Sequence, residues 1–304
     1  MNTFLLIDGN ALIHRAFHAL PAFKTSTGIQ TNAAYGFATM IHKAITDLKP
    51  THVIVCFDSK EPTFRDKLFK QYRTQRPEVK PELIDQFPLV KEFLVSAGIK
   101  MIEKPGLEAD DLIGILATRI EKTGQKNLIL SGDKDLMQLV TKKTNMMTPQ
   151  LGFGKAQLFD EQTVKKKLGV DPSQVPLFKA LAGDPSDNYK GVTGIGPKTA
   201  VLLIQEFKTL DNIYKQIDLI KSPKLKQALI DYKDNAYLSQ KLATILRTDG
   251  VTFDLDTASF TGYNEVLRNY FMKLEMPSLV NRFFSRIAKP KRGEPKKPEQ
   301  FNLF

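Results

Sequence analysis

Three short apolar runs in this chain each lead into a carboxylate: Phe4-Leu5-Leu6-Ile7 before Asp8, Val53 to Phe57 before Asp58, and Asn127 to Leu130 before Ser131-Gly132-Asp133. Apolar runs without polar alternation are the pattern of strands buried on both faces, as in a parallel sheet. Between them lie stretches with helical spacing, including Tyr35 to Leu48, Pro88 to Ala97 and Ala109 to Thr123. Strand, helix, strand, helix predicts an α/β domain. Open parallel sheets bind ligands beyond the carboxyl ends of their strands, so Asp8, Asp58 and Asp133 are expected to meet on one rim.

From about Glu161 the strand pattern fades. Helices are predicted over Thr163 to Leu168, Val175 to Ala182, Lys198 to Phe207, Leu225 to Tyr232 and Ala236 to Leu246. The expected division is an α/β core over residues 1–165, a helical lobe over 166–287, and a disordered tail over 288–304 whose Pro- and Lys-rich sequence cannot build a core. Within the core, Lys60 to Pro81 is dense in charge, and Phe64, Leu68, Phe69 and Tyr72 recur at helical spacing. That pattern predicts a helix projecting over the sheet's edge.

Lys and Arg outnumber Asp and Glu by 44 to 33, a net charge of +11 that suits a polyanionic partner. No run approaches the ~18 apolar residues of a membrane span, and Met1 to Asn10 lack a basic leader, so a cytoplasmic protein with no membrane partner is expected. The lone Cys56 lies in an apolar run and is expected to be a small core residue.

The richest stretch for chemistry is Glu108-Ala-Asp110-Asp111 at the start of a predicted helix. One acid there is explained by capping and by the helix dipole; three adjacent acids repel and call for a cation. Asp133-Lys134-Asp135 repeats the theme, although a solvated turn also accounts for it. In Gly183-Asp184-Pro185-Ser186-Asp187-Asn188, Asp184 suits an N-cap with Pro185 at the first helical position, which leaves Asp187 one turn later. Nine carboxylates (Asp8, Asp58, Glu108, Asp110, Asp111, Asp133, Asp135, Asp184 and Asp187) are thus placed where one topology can gather them. All-oxygen donors select hard cations, Mg²⁺ or Mn²⁺, and two ions about 4 Å apart are the usual machinery for phosphodiester hydrolysis. His14 and His18 have zinc-compatible spacing, but no Glu follows His14 as in zincins. The chain has no phosphate-binding Gly-x-x-x-x-Gly-Lys-Ser/Thr loop and no Gly-x-Ser-x-Gly elbow.

Two further segments read as nucleic-acid contacts. Gly191-Val-Thr-Gly194-Ile-Gly196-Pro197-Lys198-Thr199-Ala200 leads into an apolar helix, and such a turn can hold a phosphate on its amides or a monovalent cation such as K⁺ on its carbonyls. A plain tight turn is the bland alternative. In the Lys60 to Pro81 segment Arg65, Lys67, Lys70, Arg73, Arg76 and Lys80 recur with Phe69 and Tyr72 between them, the arrangement by which charges follow phosphates and rings stack on bases. A solvated charged face is the alternative here.

Taken in order, Asp8-Gly9-Asn10, Phe57-Asp58, Glu108-Ala109-Asp110-Asp111, Ser131-Gly132-Asp133-Lys134-Asp135, Gly183-Asp184-Pro185-Ser186-Asp187-Asn188 and Gly194-Ile195-Gly196-Pro197-Lys198-Thr199-Ala200 resemble the motifs of the 5′-nuclease domain of bacterial DNA polymerase I, over residues 1 to about 285. The resemblance implies a PIN-related flap-endonuclease fold with a helical arch at about 60–85, a helix-hairpin-helix motif, and 5′-to-3′ exonuclease and flap endonuclease activity on DNA flaps, nicks and RNA primer ends. It implies that Asp8, Asp58, Glu108, Asp110 and Asp111 bind the catalytic metal, and that Asp133, Asp135, Asp184 and Asp187 bind a second. Arg15, Arg65, Arg73 and Arg76 would steer the scissile phosphate and threaded strand, with Lys70, Tyr72, Lys80, Gly194, Gly196 and Lys198 also on DNA. The family often has Lys where this chain has Arg73, and Arg holds phosphate differently.

No polymerase segment follows, so a stand-alone, monomeric nuclease is expected. Its final Gln300-Phe301-Asn302-Leu303-Phe304 resembles the pentapeptide by which replication proteins dock on the sliding clamp, with Gln300, Leu303 and Phe304 as anchors. Two other readings share these residues: a structure-specific DNA-binding protein that cleaves little, and a PIN-type ribonuclease.

Overall fold

The computed structural model describes residues 2–149, 156–248 and 250–284. In chain order the core contains β1 (Thr3–Asp8), α1 (Gly9–Ala19), α2 (Asn32–Leu48), β2 (His52–Phe57), α3 (Phe64–Leu68), α4 (Pro81–Ile84), α5 (Gln86–Ser96), β3 (Lys100–Glu103), α6 (Ala109–Lys122), β4 (Lys126–Leu130), β5 (Thr144–Met147) and β6 (Leu158–Phe159). After α7 (Glu161–Leu168), whose buried Val164 packs with the core, the lobe continues with α8 (Val175–Ala182), α9 (Pro197–Phe207), α10 (Leu210–Lys215), α11 (Pro223–Asp231) and α12 (Lys233–Ala243). Two last helices, α13 (Glu265–Lys273) and α14 (Pro277–Phe284), return to the core.

The sheet has the order β3-β2-β1-β4-β5-β6 and is parallel except for β6. Successive strand side chains point to opposite faces, and both faces are buried. Leu5, Ile7, Val53 and Val55 pack with α1, α2, α5 and α13 on one side, while Phe4, Leu6, Ile54 and Cys56 pack against α6 on the other. This is the predicted α/β architecture, with three further strands that the apolar runs did not announce. β3 is mostly exposed, and β5 reads Thr-Asn-Met-Met, so neither carries a long apolar signature. The lobe has its own core, in which Leu177, Leu181, Leu203, Ile204, Phe207 and Leu229 meet.

β2, β1 and β4 are neighbours, with Asp8 opposite Cys56 and Ile7 opposite Leu130. Asp8, Asp58 and Asp133 therefore leave adjacent strands at the same rim. Gly9 is required there by close approach, because a Cβ on it would fall 2.4 Å from the Phe57 ring.

The expected projecting helix over 60–81 is not formed. α3 starts at a Thr63/Asp66 capping box and ends at Phe69, after which turns carry the chain to Arg76. Arg73 adopts a left-handed φ of 55°, and Pro77 and Pro81 disfavour helix in the residues before them. Asp184–Asn188 likewise does not begin a helix. It is a tight turn closed by an Asp184–Tyr189 bridge, with Asn188 left-handed at φ 64°.

Candidate active site

Several of the carboxylates are held by main-chain donors at the ends of strands and helices. Asp8 caps α1, accepting from the Ala11 amide at 2.9 Å, and its other oxygen accepts from the Ser131 hydroxyl at 2.8 Å. Asp58 accepts from the Ala109 amide at 2.8 Å, while its own amide donates to Asn10 Oδ1 at 3.1 Å. Asp184 accepts from the amide and hydroxyl of Ser186 at 2.9 and 2.6 Å. Asp8 and Asp58 are thus oriented by the donors of helix ends, and Asp184 by its own turn.

Asp8, Asp58, Asp110 and Asp133 line one cleft of about 600 Å³, together with Asn10, His14, Arg73, Arg76 and Lys80. Burial pushes Asp8 up to about 7, with Asp58 and Asp133 adding to the effect. Asp110 is raised well above the ordinary range by burial, then by Asp133 and Asp8. Such mutual elevation marks carboxylates too close to ionise freely without a cation.

Asp135, Asp184 and Asp187 form a second group whose ligand atoms all lie within 4.8 Å of one another. Burial pushes Asp135 up to about 7, with Asp133 adding to the rise and Lys179 opposing it. Asp133 therefore lines the first cleft while standing close enough to influence the second group. The donor set is carboxylate oxygen throughout, which fits hard divalent cations.

Three sequence expectations need correction. Asp111 does not line the cleft: its oxygens accept from Arg65 Nη1 and Nη2 at 2.7 and 2.9 Å and from the Leu246 amide at 3.0 Å, and it is 0% exposed. Arg65 in turn is 2% exposed, so neither side chain is presented to a metal or a phosphate in this structure. Tyr72 is also buried, packed with Tyr189 and Leu242, and its hydroxyl donates to Asp187 at 3.2 Å. The aromatic that was expected to stack on bases instead pins the arch to the acids.

Glu108 sits between the arch and the cleft, accepting from Thr63 Oγ1 at 3.4 Å and pairing with Arg73 Nη2 at 3.0 Å. Burial raises its pKa, and Arg73 and Arg65 counter that. Arg73 Nε also reaches Asp187 Oδ1 at 3.3 Å, and Arg76 reaches the same oxygen at 2.5 Å. Lys70, Lys80, Arg15 and Lys198 are exposed, Arg15 beside the Gly132 turn and Lys198 at the start of α9. Gly194 has φ 91° with open space where a Cβ would be, so backbone freedom explains it. Gln300, Leu303 and Phe304 lie outside the described residues.

Sequence reasoning missed Lys179, Ser131 and the role of Asn10, whose Oδ1 accepts from the Asp58 amide and so holds the end of β2. Lys179 stands five residues before Asp184 on the neighbouring helix α8, which was a weak signal; Ser131 is fixed by the register of β4 beside β1, which no local pattern encodes.

A parallel sheet with clustered carboxylates on its rim, a cationic arch and a glycine hairpin on a helical lobe together define a PIN-like phosphodiester nuclease. Residues 3–169 match the 5′-3′ exonuclease N-terminal resolvase-like domain, and residues 170–266 match the 5′-3′ exonuclease C-terminal SAM fold. The chain belongs to this 5′-3′ exonuclease family. DNA polymerase I of Bacillus subtilis is 39% identical over 279 residues, covering 91% of this chain and 32% of the relative. DNA polymerase I of Mycobacterium tuberculosis H37Rv is 36% identical over 304 residues, covering 99% of this chain and 33% of the relative. The chain spans about a third of the length of these relatives. In fold it is similar to a bacteriophage T5 flap endonuclease solved with DNA and metal ions (TM-score 0.65, 22% identity, 91% of this chain and 100% of that one). It is also similar to the catalytic core of Rad2 with DNA substrate (TM-score 0.61, 18% identity, 93% and 91%).

Proposed function

We propose that the chain cuts DNA near free 5′ ends, at flaps, nicks and RNA-primed ends, in replication and repair, using two or more divalent ions held by its rim carboxylates. The carrying observation is the pair of adjoining acid groups, Asp8, Asp58, Asp110 and Asp133 in the cleft and Asp135, Asp184 and Asp187 beside it. Bound Mg²⁺ or Mn²⁺ would supply an activated water and stabilise the leaving oxygen. In this reading Asp8, Asp58 and Asp110 hold one ion, with Asp133 between the groups, and Asp135, Asp184 and Asp187 hold the other. Arg73, Arg76 and Lys80, which line the cleft, draw the scissile phosphate inward. Outside it, Lys70 and Arg15 follow the strand, while Lys198 and the Gly194–Gly196 turn grip duplex backbone, with K⁺ on the turn's carbonyls.

The test is cleavage of a 5′-flap duplex by the purified protein with Mg²⁺, Mn²⁺ or chelator, beside Asp110→Asn. Cleavage near the junction that needs both metal and Asp110 is the expected result. Tight binding that ignores metal and leaves the flap whole would instead favour a DNA-binding scaffold, and preference for single-stranded RNA a ribonuclease. The same proposal extends to the C-terminal Gln300, Leu303 and Phe304 as a sliding-clamp peptide. Deleting 300–304 should abolish clamp binding and leave free-solution cleavage intact.

A further inference from the structure

Every carboxylate of the second group is engaged by a cation that belongs to the chain itself. Asp187 takes the guanidinium groups of Arg73 and Arg76 from the arch. Asp135 and Asp184 share one ammonium: Lys179 Nζ donates to Asp135 Oδ1 and to Asp184 Oδ2. The lysine reaches them from α8, whose Val175, Leu177, Ala180 and Leu181 are buried, so the stem's origin is fixed by packing. Its side chain is only 14% exposed, and the acids hold its pKa above the usual lysine range despite burial.

The three ligand atoms lie within 4.8 Å of one another, so an ion bonded to all three at about 2.1 Å would occupy nearly the same space as the ammonium that bridges two of them. Two cations in direct contact with each other at one pair of carboxylates repel strongly, so one must leave. A lysine can do so, because its point charge sits on a flexible four-carbon stem.

We propose that Lys179 is a tethered counter-ion of the second carboxylate group, neutralising Asp135 and Asp184 when no divalent ion is bound and yielding its place when one binds. Lys179 then sets the concentration at which the second ion is taken up. Without it, Asp135 and Asp184 would face each other uncompensated whenever metal is scarce. This rests on the metal-dependent reading above.

The experiment titrates Mn²⁺ into wild type, Lys179→Met and Lys179→Arg, counting bound ions from the electron paramagnetic resonance signal of free Mn²⁺. Lys179→Met should tighten the weaker class of sites at least about tenfold, as expected on removing a positive charge in contact with two ligands. Lys179→Arg, which keeps the charge, should leave that class as weak as in wild type. Without metal, Lys179→Met should melt below wild type, and saturating Mn²⁺ should erase the difference. Should the methionine variant not fold, Lys179→Gln, which keeps a polar group near the acids, takes its place with the same expected tightening. Unchanged or weaker Mn²⁺ binding in the folded neutral variant overturns the proposal and leaves the nuclease reading intact. If wild type and variant alike bind no Mn²⁺, the metal-dependent reading itself fails.

Discussion

Arg65 grips Asp111 through two parallel hydrogen bonds, Nη1 to Oδ2 at 2.7 Å and Nη2 to Oδ1 at 2.9 Å, in a region that excludes solvent from both side chains. The same guanidinium donates from Nε to the Leu242 carbonyl at 2.8 Å and from Nη2 to the Thr244 carbonyl at 3.0 Å. One residue therefore ties the arch, α6 and the end of α12 into a unit, and that unit carries Glu108 and Asp110 on its flank.

Removing Arg65 alone strands a buried carboxylate. Arg65→Met should cost about 3–5 kcal/mol of stability, the range for breaking a buried pair, and urea unfolding at neutral pH reads it directly. The double variant Arg65→Met/Asp111→Leu should recover much of the loss, because neither charge then remains. A cost for Arg65→Met below about 1 kcal/mol, the range of exposed pairs, would contradict the structural role.

Acid crowding on the rim has a definite pH signature. Burial and neighbouring acids lift Asp8 from 3.8 to about 7, and Asp135 from 3.8 to about 7. Between these values the folded protein binds more protons than the unfolded chain, so stability from these groups is present below the lower value and is lost as pH rises through the upper one. Metal-free protein should therefore melt lower at about pH 8 than at about pH 5.5, judged by calorimetry in chelator. Asp8→Asn should flatten that slope, and Mg²⁺ should raise the melting temperature most at the higher pH, where the ligands are ionised. A metal-free melting temperature that is level or rising over this range would count against the crowding.

The apolar runs sufficed to place Asp8, Asp58 and Asp133 at one rim, because a carboxylate at the end of a buried parallel strand has few other places to go. They could not announce β3 or β5, whose short sequences are too exposed or too polar to carry the pattern. Asp111 and Arg65 illustrate a different limit: helical spacing put Asp111 beside Asp110, but only the tertiary path of residues 242–246 turns it away from the cleft and onto an arginine. Tyr72 was misread for a similar reason. Alternation of rings and cations is the same whether a ring faces DNA or packs on Tyr189, and burial chose the second.

The turn before α9 should contact phosphate without reading sequence. Lys198 is exposed in the first turn of that helix, and Gly194 at φ 91° shapes the approach. Lys198→Ala should weaken duplex binding several-fold for any sequence and reduce the slope of log affinity against log salt by about one. Fluorescence anisotropy across a salt series measures both; an unchanged slope would remove Lys198 from the phosphate contacts.

Arg73 joins Glu108 to the second acid group, with Nη2 3.0 Å from Glu108 and Nε 3.3 Å from Asp187, and it lines the cleft beside Asp110. A planar fork can span two carboxylates or turn from them toward a phosphate; a lysine offers one point charge for the same work. Arg73→Ala should therefore slow single-turnover flap cleavage at saturating enzyme by about 100-fold or more, the usual loss when a donor to a developing oxyanion is removed. Arg73→Lys should retain part of the rate, since charge survives while the fork does not. Rapid-quench kinetics separate this from binding: if the alanine variant binds the flap more weakly yet cleaves bound substrate at the wild-type rate, Arg73 serves only to collect the strand. A rate loss that persists at saturation places its guanidinium on the phosphate during the reaction, a role its present grip on Glu108 and Asp187 keeps in reserve.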